Sequence, residues 1–425
     1  MIPLMDVRSL RMKFDAATGG IDRSARRLAS KIDWSNWQPG RPTVLCLDRA
    51  LFRSDVEELR KRTAFNWAKV GATAVKRHQE VWVAEPLRLQ TYFTNWLETR
   101  CARLKPGLEA FGTVFLETAC RVHPIDAVMS GNMDYWQDDA IKLGCKKLGI
   151  PFLVLSRENY TKKVDADIMF QRFSDARFKY GGDGVAVFAP ETKHVMDDSG
   201  CFAPNSVWVT GAPRFDNWME IGPIPESERV YMTLLSYADP VYMAQENFAE
   251  TLRLFAEAAR NAGNPALKWR IKVKKPSEVE HVVAAMPEIQ SYPLEIVWDF
   301  PLTQLYPRSR IIIGYNTLAA AEGLLTETPV VIPCWGDARR NSEETLINYA
   351  DPADAKVAYF PASQEELSAL IGRAERDNLP ARGAAAERIA RFGRHIAMPE
   401  GGSCSAVAAF IAHFLKKSAV SRRAR

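Results

Sequence analysis

At 425 residues, with 47% hydrophobic and 25% charged side chains, the chain is long enough for two ordinary domains and too apolar to be disordered. Its formal net charge is only +5, and no aromatic-interleaved basic ribbon accompanies it, which argues against nucleic acid as a partner. No apolar run approaches the ~20 residues that a bilayer span requires.

Short apolar strands alternate with amphipathic or small-residue helices, the pattern of an α/β protein with parallel sheets. Thr43 to Leu47 is the first clear strand, and Ser54 opens a helix with Asp55, Glu57 and Glu58 near its start, the sign that end of a helix favours. Asp126 to Ser130 reads as the next strand, followed by the turn Gly131-Asn132-Met133-Asp134 and a helix from about Trp136 to Leu148. Pro151 to Leu155, Val185 to Ala189 and Ser206 to Thr210 read as further strands of the same sheet. Loops at the carboxyl ends of such strands line a binding crevice.

Ile221 to Glu226, broken by Gly222, Pro223 and Pro225, reads as a linker. A second series starts at Val230, with a helix from about Gln245 to Ala262 and strands at Lys268 to Val273 and Glu295 to Trp298. Residues 308 to 333 are the most informative. The β-branched triplet Ile311 to Ile313 reads as a buried strand, Gly314 permits a tight turn, and Asn316 or Thr317 can cap a helix running from Ala319 to near Thr326. Pro329 to Pro333 then supplies another strand. A strand, a tight turn and a helix start with free N–H groups favour an anion. Glu322, about a turn and a half into the helix, is placed to accept hydrogen bonds from a ribose diol. The same segment also reads as an ordinary βαβ unit, since it lacks G-x-G-x-x-G spacing. From about Ala381 the chain reads as helical.

Other residues with chemical potential lie just past predicted strands. Ser156, Arg157, Glu158 and Asn159 follow Leu155. A carboxylate there can deprotonate an acceptor hydroxyl or act as a nucleophile, with Glu158 the first candidate and Arg157 orienting an anionic group, although a Glu–Arg surface pair fits as well. Asp134 with Asn132 forms a second cluster, and Asp48, Arg49 and Arg53 follow the first strand, where they can touch an acceptor phosphate or carboxylate. His123 precedes Pro124 and reads as a loop residue. Asp165-Ala166-Asp167 has the letters of a metal-binding pair but no buried strand before it, so no metal site is expected. The seven cysteines lack C-x-x-C spacing, which supports neither a disulfide framework nor a zinc knuckle. With an N-terminus that lacks the order of a secretory signal, a reducing cytoplasm is the expected compartment. The basic tail Lys-Lys-Ser-Ala-Val-Ser-Arg-Arg-Ala-Arg reads as solvated surface, or as a peripheral contact with an anionic membrane face.

The run Gly-Tyr-Asn-Thr-Leu-Ala-Ala-Ala-Glu-Gly-Leu-Leu-Thr-Glu-Thr-Pro-Val-Val resembles the nucleotide-binding signature in the C-terminal half of GT-B glycosyltransferases, with Thr328 where a Gly is usual. Val209 to Asp216, Val-Thr-Gly-Ala-Pro-Arg-Phe-Asp, resembles the T-G-x-P-R-x-D hinge of capsule and surface-carbohydrate transferases and of CDP-glycerol glycerophosphotransferase relatives; Asp216 capping the next helix and pairing with Arg214 is the simpler reading. Lys272-Val-Lys-Lys-Pro resembles the K-x-H-P stretch of those families, with Lys275 in place of the His.

The resemblance implies an α/β fold of two Rossmann-like domains facing each other across a cleft, with the C-terminal helix (Ala406 to Leu415) crossing back. Residues 1–220 would form the acceptor domain, 227–400 the donor domain, and 401–425 the terminal helix and tail. It implies a metal-independent glycosyltransferase of bacterial surface polysaccharide assembly, related to glycerophosphotransferase-like and Kdo transferase-like families. The substrates would be a nucleotide-sugar donor and a glycan or lipid-linked acceptor, with no separate cofactor. Ser236, Lys272, Lys274, Asn316, Thr317 and Glu322 would hold the donor, and Glu158, Arg157 and Asp134 would serve catalysis. Two alternatives stay open: a non-hydrolysing UDP-N-acetylglucosamine 2-epimerase-like enzyme, and a noncatalytic binder of sugar nucleotides or glycans with the same fold.

Overall fold

The computed structural model describes residues 20–49, 52–80, 83, 102–156, 163–175, 178–236, 245–315, 317–340, 345–377 and 379–423. The chain divides into two compact units. The first comprises Met1–Tyr160, Asp165–Asp216 and Ile396–Arg425, and the second Thr161–Val164 with Asn217–His395.

Unit 1 is built on a sheet of β1 (Thr43–Asp48), β2 (Asn66–Gly71), β3 (Ala127–Ser130), β4 (Phe152–Leu155), β5 (Gly184–Val187) and β6 (Val207–Val209). The order is β2-β1-β3-β4-β5-β6, and every neighbouring pair is parallel. All four residues of β3, β4 and β5 are buried, as expected for parallel strands covered on both faces. The β2 strand escapes a sequence reading because it is an edge. Its Lys69 is only half-buried and pairs with Glu57, so no apolar run announces it.

The helices Lys105–Cys120 and Trp136–Leu148 cross with glycine facing glycine. A Cβ at Gly112 would overlap the Ala140 carbonyl, and one at Gly144 would lie 2.7 Å from the Thr113 nitrogen. The last helix, Ser403–Arg423, belongs to unit 1, where Phe410 and Phe414 lie over Gly184, whose Cβ would collide with both rings.

One local expectation is corrected here. Arg214 does not pair with Asp216; its guanidinium donates to Asp55 Oδ2 at 2.8 Å and its backbone N–H to Asp55 Oδ1 at 3.0 Å. Asp216 instead accepts the backbone N–H groups of Ser403 and Cys404, each at 2.7 Å, so it caps the final helix rather than the next one. Pro213–Phe215 forms a 3-10 turn, and residues two apart in such a turn lie about 120° from each other around its axis, on different faces.

Unit 2 carries β7 (Tyr231–Leu235), β8 (Lys268–Lys272), β9 (Glu295–Val297), β10 (Ser309–Ile313) and β11 (Val330–Val331) in the order β11-β10-β7-β8-β9. All neighbours are again parallel. The α/β class with two parallel sheets is therefore as the sequence pattern requires.

Candidate functional site

In unit 2 the chain winds outward from β7 through β8 to β9, then returns to place β10 on the other side of β7. The direction of winding reverses between β7 and β10, and outside the carboxyl ends at such a reversal two connections diverge and leave a crevice. Ser236 follows β7 there. Its N–H donates to the Lys272 carbonyl at 2.9 Å, while its Oγ is buried and has no hydrogen-bond partner. On the far side, Gly314 follows β10. A Cβ on it would come within 3.0 Å of Leu235 and 3.2 Å of Ala320, so the bare backbone is what lets strand, turn and helix close together.

Tyr315 anchors that turn. It is buried, and its hydroxyl lies 2.6 Å from both Asn247 Oδ1 and Thr251 Oγ1. Burial raises its ionisation well beyond the usual phenol range, so it stays neutral. Thr317 takes extended backbone angles and its Oγ1 accepts the Ala319 N–H at 3.3 Å, making it the N-cap. The α-helix that follows, Leu318–Glu322, has five residues and passes into a 3-10 turn over Gly323–Leu325. Its dipole is therefore small, and local N–H and O–H donors carry more weight than the sequence suggests.

Lys272 ends β8 beside Ser236. Its Nζ donates to the Val273 carbonyl at 2.8 Å and the Trp298 carbonyl at 2.6 Å, which leaves one of its three N–H donors. Burial lowers its pKa, opposed by the charges of Asp299 and Glu278.

Unit 1 repeats the topological device. The chain runs from β1 to β2 and then back to β3 on the other side of β1. At the carboxyl ends Asp138, fully buried, accepts from Arg49 Nη2 at 2.7 Å and from Ser130 Oγ at 2.6 Å. The Arg49 guanidinium lies 4.7 Å from the centre of the Tyr135 ring. Asp48 Oδ1, Arg49 Nε and Ser156 Oγ are buried without partners. A buried polar atom left unpaired costs ~1–3 kcal/mol. Three of them at the ends of β1 and β4, the two strands that flank β3, are the groups a bound ligand would satisfy.

No protein-family model matches this sequence, and no curated protein does either. Solved structures resemble it in architecture at low identity. A glycosyltransferase from Rickettsia africae is 13% identical with a TM-score of 0.48, over 89% of this chain and 99% of that one. The wall teichoic acid polymerase TagF gives 8% and 0.48 over 97% and 99%. A UDP-GlcNAc 2-epimerase from Neisseria meningitidis, bound to UDP-GlcNAc, gives 12% and 0.45 over 88% and 99%. At these scores the strand orders above stand without them.

The two rims bring together some of the residues singled out from sequence. Lys272 ends β8, and Ser236, Gly314 and Thr317 follow the adjacent strands β7 and β10 of unit 2. Glu322 is half-buried at the end of the helix, and its charge helps to raise the ionisation of the buried Tyr306 hydroxyl, after burial itself. Lys274 has an exposed side chain, and its backbone N–H donates to Glu278 Oε2 at 2.8 Å. In unit 1, Asp134 is buried, with its N–H on Asn132 Oδ1 at 3.1 Å. His123 is stacked on Trp37 with ring centres 3.9 Å apart. Arg157, Glu158 and Asn316 lie outside the described residues. Asp167 is exposed on the helix Lys163–Asp175. Among the described residues no helix is long and apolar enough to cross a membrane.

Asp138 was missed. It sits in the run Trp-Gln-Asp-Asp-Ala, which reads as the acidic first turn of a solvated helix. The available signal was Ser130, eight residues earlier, at the end of an apolar strand.

Proposed function

We propose that the protein is a glycosyltransferase that moves a sugar from a nucleotide-activated donor to a glycan or lipid-linked acceptor in surface polysaccharide assembly. The observation that carries the reading is the buried, unpartnered Ser236 hydroxyl at the winding reversal of unit 2, flanked by the backbone of Lys272 and the Gly314 turn. In this reading Ser236 Oγ and the remaining Lys272 N–H donate to the donor's phosphate, and Thr317 and Asn316 contribute further polar groups toward it. Glu322 accepts from the ribose. As the sugar–phosphate bond breaks, negative charge grows on the leaving phosphate, and prepositioned donors stabilise it more than the ground state. The acceptor belongs to unit 1, where Arg49, oriented by the buried Asp138, meets an anionic or hydroxyl-rich group. Glu158 is the proposed base, Arg157 and Asp134 are proposed to assist it, and Lys274 supplies further positive charge for the donor.

Thermal-shift titration with CMP, UDP and GDP tests the donor site, because a ligand that binds only the folded state raises its melting temperature. One nucleotide should stabilise the wild type. Ser236→Ala should weaken that nucleotide by roughly 10- to 100-fold, the equivalent of ~1.5–3 kcal/mol for a hydrogen bond to a charged group. Unchanged affinity in Ser236→Ala removes the serine from the site. Glu158→Gln should keep nucleotide affinity and abolish release of nucleotide from the sugar donor; normal turnover assigns the base elsewhere. A protein that binds the donor and never releases nucleotide is a binder.

A further inference from the structure

The opposite edge of the unit 2 sheet holds a cavity of about 520 Å³. Arg229, Pro307 and Glu327, which line it, come shortly before β7, β10 and β11. It therefore lies at the amino ends of the strands, whereas Ser236 and Gly314 are at the carboxyl ends. Its size falls in the roughly 300–1,000 Å³ range of small-molecule sites, and its walls combine apolar side chains with polar and charged groups.

Arg388, on the helix Ala385–Gly393, is the unusual wall residue. Only 2% of it is exposed. Its terminal nitrogens donate to five backbone carbonyls, those of Val357 and Arg382 and of Gly323, Thr326 and Thr328. No carboxylate touches it in those contacts, and its Nε is buried without a partner. Burial pulls its pKa down to about 10, so it remains a cation at neutral pH. Carbonyl dipoles solvate it without cancelling its charge. Arg229, on the same cavity, also has a buried, unpartnered Nε, and its Nη2 pairs with Glu327 Oε2 at 3.0 Å. Two guanidinium groups against one carboxylate leave the wall with an excess positive charge. The apolar side is supplied by Trp218, Met219, Ile224 and Ile389, and Met219 is 52% exposed.

We propose that this cavity binds a small amphiphile bearing a single negative charge, with its acid group toward Arg388 and Arg229 and its apolar body against Met219 and Ile389. The site is separate from the nucleotide rim and stands whether or not unit 2 takes a nucleotide. The wall helix is also fastened independently, because Arg391 Nη2 holds Asp351 Oδ2 and Asp354 Oδ2, each at 2.7 Å.

Isothermal titration calorimetry of the full chain with octanoate, 1-octanol and octylammonium tests the proposal. Octanoate should bind with 1:1 stoichiometry and at least tenfold tighter than octanol, with octylammonium weakest. Ile389→Trp, which fills the cavity, should weaken octanoate at least tenfold in a protein whose melting temperature is near wild type. Arg388→Met risks misfolding because five carbonyls lose their donor. The pair Arg229→Met with Glu327→Gln removes one charge of each sign and keeps the excess at Arg388, so octanoate should still be preferred. The proposal is overturned if no probe binds, if octanol binds as tightly as octanoate, or if Ile389→Trp leaves octanoate affinity unchanged.

Discussion

At His78 a single donor decides a charge. The side chain is fully buried. Its Nε2 lies 3.1 Å from Lys31 Nζ and its Nδ1 2.9 Å from Ser24 Oγ. An ammonium can only donate, so Nε2 must carry the lone pair and Nδ1–H donates to the serine. Burial, with the Lys31 and Arg27 charges, lowers its pKa to about 4 from 6.5. The unfolded chain then binds more protons than the folded one between those values, so stability rises with pH across that window. It is fully present above pH 6.5 and lost as pH falls toward 4. The shift corresponds to on the order of 3 kcal/mol. His395, also lowered to about 4 and for the same first cause, adds in the same direction. Urea unfolding at pH 7 and pH 4.5 should show wild type losing more stability than His78→Gln. Equal losses would mean that the imidazole is not held neutral.

Between elements, the tightest constraint is the crossing of Lys105–Cys120 with Trp136–Leu148, where a Cβ at Gly144 would press on the Gly112 backbone rather than on a side chain that can swing away. Overpacking of this kind costs ~1–3 kcal/mol. Gly144→Ala should fall at the upper end of that range in a chemical melt. Gly181→Ala, where nothing lies within 4 Å, should stay within ~0.5 kcal/mol of wild type. Two equal midpoints would mean the helices separate freely. The limits of sequence reading are plain at this scale. Central strands such as β4 and β10 were legible because Phe152 to Leu155 and Ile311 to Ile313 are buried and form unbroken apolar runs. The β2 edge strand was not, and the Leu318–Glu322 α-helix is shorter than its small-residue run suggests, passing into a 3-10 turn at Gly323, whose backbone lies close to Val330 and Ile312. Ser236 and Thr317 were legible as residues just past strands. Asp138 was not, and neither were the winding reversals, because strand order is set by pairings between residues far apart in the chain.

For the molecule as a whole, the decisive fact is that the last thirty residues, Ile396–Arg425, return to unit 1. Asp216 caps their helix, the Ala397 N–H donates to the Phe188 carbonyl at 2.8 Å, and Val407, Phe410, Ile411 and Phe414 are buried. Burying a large apolar side chain contributes ~1.5–3 kcal/mol, so these four together contribute roughly 6–12 kcal/mol, comparable with the ~5–15 kcal/mol net stability of a whole domain. A chain ending at residue 395 should therefore lose amide protection throughout β1 and β3 to β6. Unit 2 keeps its own core of Met232, Leu252, Ile271 and Ile313 and should exchange as it does in the full chain. Hydrogen exchange read by mass spectrometry distinguishes the outcomes. Protection in unit 1 that survives the truncation would show that its sheet needs no closing helix, and a loss spread equally over both units would show that their stabilities are not separable.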